Sequence, residues 1–258
     1  MTADELPLRT FKLTVAYDGG RYSGWQWQPG ETLSVQQQIE LAIGEIIGEE
    51  LRVVGSGRTD AGVHAFGQVV SFSTRRWRAP ADRWVPAFNR FLPNDIVVHR
   101  AEEAAFGFHA IRDSIGKRYR YTIRNSRVVD PHLAHLQWCL HRRLDVEAMR
   151  EAARFLVGQH DFAAFQGQGS PRENTVRTIR ALEIEAVEVW EGRVLSIDIS
   201  ADGFLYNMVR NIVGTLVEVG HRKHPPAWMV ELLARRNRSL AGQTAPAAGL
   251  CLMEVHYP

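Results

Sequence analysis

Apolar and polar positions alternate from Phe11 through Leu13 and Val15 to Tyr17, the two-residue period of a strand with one buried face. The period then changes. Val35, Ile39, Ile43 and Ile46 fall on one face of a helix, and Ser34 stands where a helix N-cap is expected. Leu51–Val54 and Phe66–Phe72 read as strands, Trp84, Phe88 and Phe91 mark a second helix entered through Pro80, and Ile96–Val98 begins another strand. The predicted order is β-α-β-β-α-β.

The second half repeats that order. Tyr119–Ile123 is a strand and Val146–Leu156 a helix opened by Asp145. Thr178–Val189 and Val194–Ile199 form a hairpin around Glu191-Gly192, Leu205–Val219 and Trp228–Leu233 are helices, and Leu250–Val255 is a closing strand. The fold class expected is α+β: two ferredoxin-like domains, over residues 1–110 and 111–258, each an antiparallel sheet with helices on one face. Gly167–Asn174 (GQGSPREN) reads as a surface loop.

A chain of 258 residues can bury sizeable cores in two such domains. With 45% hydrophobic and 23% charged residues it has the balance of a soluble globular protein. The N-terminal MTADELPLRT lacks a secretory layout, and no apolar run approaches the ~18 residues that span a bilayer. Two cysteines, Cys139 and Cys251, are too few for a disulfide framework. These features point to the cytoplasm, away from membranes.

Charge is uneven. Residues 1–110 hold 11 Lys+Arg against 13 Asp+Glu, and residues 111–258 hold 20 against 16. Arg112, Lys117, Arg118, Arg120, Arg124 and Arg127 crowd one stretch in which Asp113 is the only acid. Such a run is either a salt-bridged surface or a phosphate-binding one; the interleaved Tyr119 and Tyr121 favour RNA, since a base can stack where its phosphate is held.

Several chemistries find no motif. Gly55-Ser-Gly57 lacks the third glycine and the following helix of a dinucleotide site, and there is no phosphate loop or nucleophile elbow. His132, His135, Cys139 and His141 lie close together but alternate like a strand without zinc spacing, so no metal is expected. Cys139 and Cys251 read as inert core.

Gly55-Ser-Gly-Arg-Thr-Asp-Ala-Gly-Val-His64 packs three glycines, one arginine and one aspartate between two predicted strands. Such a backbone turns sharply and can approach a ligand closely. By composition, Asp60 either hydrogen-bonds its own turn or projects into a cleft beside Arg58. Arg210 leaves a similar choice. Leu205, Met208, Val209, Ile212, Leu216 and Val219 make an apolar stripe, while Asn207, Arg210, Asn211 and Gly214 share the other side, either as a solvated face or as a surface turned to a site with an anion.

Gly57–His64 resembles the signature of the tRNA pseudouridine synthase A family. Tyr17-Asp18-Gly19 with Gly24-Trp25-Gln26, Phe108-His109-Ala110 before Lys117-Arg118-Tyr119-Arg120-Tyr121, Met208–Gly214 and Gly249-Leu250 also match that family's pattern, in order and along nearly the whole chain. The resemblance implies that Asp60 is the catalytic carboxylate and that Tyr119 lies against the target uracil. It implies that Arg210 pairs with Asp60, that Arg58 helps draw out the flipped base, and that Leu250 packs along the uracil pocket. It further implies a homodimer acting on uridines 38–40 of the tRNA anticodon stem-loop without a cofactor. The carboxylate could attack C1′, add to C6 or take a proton from C2′. Two rivals are a non-catalytic RNA-binding module and an aspartate-based nucleoside hydrolase.

Overall fold

The computed structural model describes residues 6–28, 32–167, 169 and 173–258. Part of the predicted 167–174 loop (Gln168, Ser170, Pro171 and Arg172) and the first five residues lie outside these. The chain divides into two compact units, residues 1–115 with 252–258 and residues 116–251.

In the first unit, β1 (Arg9–Tyr17), α1 (Val35–Ile47), β2 (Val54–Gly55), β3 (His64–Thr74), α2 (Trp84–Phe91) and β4 (Ile96–Ala104) follow the predicted β-α-β-β-α-β order. β1 is paired antiparallel with both β3 and β4, and β2 with β3. Phe11, Leu13 and Val15 are buried, and Trp84 of α2 meets Phe11 and Phe72 edge-on at 5.5 and 5.3 Å. That geometry is preferred for aromatic pairs. Ser34 caps α1 by accepting the Gln37 N–H at 3.2 Å, as its position before the apolar stripe predicts.

Leu51–Val53 differs from its predicted strand character. The Val53 N–H donates to Glu40 Oε1 and the Val53 carbonyl accepts from Gln36 Nε2, so side chains of α1 take the place of a ladder partner and β2 shrinks to two residues. Register shifts between Val15 and Tyr17: Val15 faces Gln68 and Tyr17 faces Ala65, one residue more on β3 than on β1. Such a bulge re-aims the side chains beside it.

In the second unit, β5 (Gly116–Ser126), β9 (Gly192–Ala201), β8 (Val176–Val189) and β7 (Gly158–Asp161) form an antiparallel sheet in that order, with β6 (Trp138–Leu140) parallel to β5. α3 (Val146–Arg154), α4 (Met208–Gly220) and α5 (Trp228–Arg235) complete the unit, and β10 (Leu250–His256) carries the chain into the first unit from Leu252 on. β6 accounts for the strand-like alternation around Cys139. The hairpin turn sits at Trp190-Glu191, one residue earlier than predicted, with Glu191 at φ 58°. Cys139 and Cys251 are half-buried rather than core, and burial raises the Cys139 thiol above its ordinary pKa. No helix among the described residues is long and apolar enough to cross a membrane.

Candidate active site

In the first unit, the loop between β2 and β3 that carries Asp60 is braced from several sides. Its first turn is held by Ser56 N–H to the Val69 carbonyl at 2.7 Å, its last by Val63 N–H to the Asp60 carbonyl at 3.1 Å. The Tyr17-Asp-Gly and Gly-Trp-Gln26 segments pack directly on it. Trp25 N–H donates to the Thr59 carbonyl at 3.0 Å, and Tyr17 Oη lies 2.8 Å from Thr59 Oγ1. Gly24 adopts φ +100°, and a Cβ there would stand 2.6 Å from the Thr59 carbonyl oxygen, so both backbone angle and space demand glycine. His64 Nδ1 sits 3.1 Å from the Gly19 amide and 3.0 Å from Asp18 Oδ1; its tautomer decides whether it accepts from one or donates to the other. The motifs that stand apart in sequence are thus one physical assembly around the aspartate.

Asp60 itself is half-buried. Arg58 is exposed and is held by one edge, its Nε donating to Gln26 Oε1 at 3.1 Å, which gives the last residue of the Gly-Trp-Gln segment a task. Phe108-His109-Ala110 is anchored in the same unit: Ala110 N–H donates to Ser71 Oγ, its carbonyl accepts the Tyr257 hydroxyl at 2.7 Å, and Phe108 packs against Tyr257 at 5.1 Å.

In the second unit, Tyr119 on β5 is 8% exposed, with Phe204 edge-on at 5.1 Å. Tyr121, expected from sequence to share base stacking, is fully buried; its hydroxyl donates to the Pro246 carbonyl at 2.8 Å, making it a core residue. Leu250, buried, opens β10. The polar side of α4 is no solvated face. Asn211 and Gly214 are buried, and Asn211 donates to the Phe165 carbonyl while accepting from Arg238 and Thr244. Arg210 is fixed twice, Nε donating to the Ala245 carbonyl at 2.7 Å and Nη1 to Asn207 Oδ1 at 2.9 Å. Asn207, at the N-cap of α4, takes the left-handed φ of 57°, a conformation asparagine tolerates better than most residues. Nothing in the helical period marks Asn207 or the Ala245 carbonyl as the supports of Arg210.

The basic stretch is more structured than a run of arginines suggests. Arg118 and Arg120 share Asp198, each at 3.0 Å, and Arg112 is tied to Asp113. Arg124 is buried and donates to the Trp190 carbonyl at 2.6 Å. Burial pushes the Lys117 amine down to about 8. tRNA affinity is therefore expected to fall linearly with log salt, but Arg124→Ala is expected to leave that slope unchanged. Filter binding across a salt series measures both, and a slope reduced by about one in Arg124→Ala would put this side chain on the phosphates. Among the described residues there is no cluster of three or more His, Cys, Asp or Glu that could hold a metal ion.

An α+β protein with an aspartate on a braced glycine-rich loop in one unit, and an arginine-rich strand in the other, is the class that fold and site define. The sequence profile of a family described as tRNA pseudouridine synthase matches residues 13–111 and 152–258. The tRNA pseudouridine synthase A of Moorella thermoacetica is 47% identical over 247 residues, covering 95% of this chain and 98% of that protein. Its namesake from Pelobacter propionicus is 46% identical over 250 residues, covering 97% and 100%. A solved archaeal box H/ACA sRNP Nop10-Cbf5 complex aligns over 80% of this chain and 44% of its own at 13% identity, with a TM-score of 0.36. The chain belongs to the tRNA pseudouridine synthase family, and is an isomerase of uridine in tRNA.

Proposed function

We propose that this enzyme converts uridines 38–40 of the tRNA anticodon stem-loop to pseudouridine, with Asp60 as the catalytic carboxylate. The observation that carries this reading is the loop itself: Thr59, next to the aspartate, is gripped by Trp25 and Tyr17 from two family motifs. Pre-organisation of that kind suits a group that must meet a reacting atom in one geometry. The reaction breaks the N1–C1′ bond, turns the uracil over and joins C5 to C1′; N1 gains a proton and C5 loses one, so atoms balance without a redox partner or nucleotide. Asp60 serves in its ionised form, and Arg210 is the proposed partner that favours the charge. Tyr119 lies against the extruded base, Leu250 lines its pocket, and Arg58 draws the nucleotide out, offsetting an unstacking cost of a few kcal/mol. The enzyme acts as a homodimer in the cytoplasm, each subunit bringing its basic strands to the tRNA.

The test is incubation with an unmodified tRNA transcript in EDTA, followed by digestion and chromatography, which separates pseudouridine from uridine of equal mass. Carbodiimide-dependent primer-extension stops then locate the product. Pseudouridine at 38–40 is the expected result. Binding without conversion would indicate a non-catalytic RNA-binding module, and released uracil a hydrolase.

A further inference from the structure

Gln68 lies in the middle of β3 with no exposed surface, a polar side chain between the buried Ala65 and Val69. Buried amides survive when every donor and acceptor is met, and Gln68 meets them on the loop that carries Asp60. Its Oε1 accepts the Ser56 hydroxyl at 2.6 Å, and its Nε2 donates to the Gly57 carbonyl at 2.9 Å and reaches Tyr17 Oη at 3.4 Å. Tyr17 Oη in turn is 2.8 Å from Thr59 Oγ1. One side chain thus holds the loop at Ser56 and Gly57 directly and at Thr59 through one hydroxyl, ending one residue short of the aspartate. The extra residue on β3, between Ala65 and Gln68, lies opposite Tyr17 and beside this chain of contacts.

We propose that Gln68, acting through Tyr17 and Thr59, is the positioning residue that sets the reactive geometry of Asp60. This rests on Asp60 being the catalytic carboxylate. The amide is required because both ends matter: two donors face a carbonyl and a hydroxyl, while one acceptor takes the serine. A carboxylate of the same shape would set one of its oxygens against the Gly57 carbonyl.

Gln68→Glu tests this. With the carboxyl ionised, acceptor faces acceptor and the loop shifts; with it protonated, its O–H again donates to Gly57. At neutral pH, kcat should fall roughly 100-fold, the scale of a misplaced catalytic group, with tRNA affinity little changed because phosphate contacts dominate it. As pH falls, the variant should recover relative to the parent, over a range raised above that of an ordinary carboxyl by burial. Tyr17→Phe deletes only the hydroxyl link and should lower kcat about tenfold, the worth of one neutral hydrogen bond in the support of the loop, again without loss of affinity and with a melting temperature lower by only the few degrees that one such bond contributes.

Parental kcat in both variants overturns the proposal, as does a Gln68→Glu defect that ignores pH or that lowers kcat, affinity and melting temperature together. Should Gln68→Glu fail to fold, Tyr17→Phe decides alone, by whether kcat drops about tenfold while affinity holds and the variant stays folded at the assay temperature. Asp60→Ala in the same assay separates the two levels. If it is active, the catalytic reading itself fails; if it is inactive while both network variants turn over like the parent, only the positioning role fails.

Discussion

Asp60→Ala is expected to abolish the release of tritium from tRNA labelled at C5 of uridine, while binding that tRNA about as well as the parent. The label reports the chemistry directly, because joining C5 to C1′ must expel the hydrogen on C5. A loss of at least ~10⁴-fold is the scale found when a group essential to a reaction is deleted. The affinity should survive for a separate reason: it is spread over many phosphate contacts, and one short carboxylate adds little to them. The loop should survive as well. The bonds from Trp25 to the Thr59 carbonyl, from Val63 to the Asp60 carbonyl and from Tyr17 to Thr59 Oγ1 use backbone and threonine atoms that the variant keeps. Circular dichroism and the salt slope of binding should therefore match the parent. Tritium release near the parental rate would reduce Asp60 to a turn residue.

Much of the frame was legible because it depends on local period. β1 follows from four alternating positions, and α1 from an apolar stripe with a serine before it; both stand where the pattern puts them. Local period also misled. Leu51–Val53 has strand composition, yet Gln36 and Glu40 on α1 take its hydrogen bonds, a competition no window of neighbouring residues contains. Tyr121 alternates with Tyr119 at the correct spacing of a strand face, but its hydroxyl finds the Pro246 carbonyl, 125 residues on, and turns it into core. The aspartate loop was visible as a dense motif, whereas its support was not: Gln68 has meaning only beside Tyr17, Ser56 and Gly57. One faint signal existed. A glutamine within the otherwise apolar run before Val69 and Val70 must be paired if the strand is buried, so it announces partners without naming them.

Arg210→Lys is expected to cut turnover by roughly 100-fold and to leave tRNA affinity nearly intact, the signature of a group needed for geometry rather than for holding the substrate. The charge is kept in this variant, so what is tested is the shape of the guanidinium. In the parent, Nε and Nη1 are committed to the Ala245 carbonyl and to Asn207 Oδ1, and these two bonds fix the plane of the fork. A lysine ammonium is a compact charge on a flexible stem; its three N–H donors rotate freely and cannot hold a plane. Asn207, already in a left-handed backbone conformation at the head of α4, would lose the planar N–H that its side-chain oxygen accepts from Arg210. The proposed pairing with Asp60 would then rest on an unsteered cation, and the carboxylate would be stabilised without being oriented. Single-turnover rates set against equilibrium binding give the measurement. Equal losses in rate and affinity would move Arg210 onto the RNA-contacting surface, and an unchanged rate would remove it from the catalytic assembly altogether.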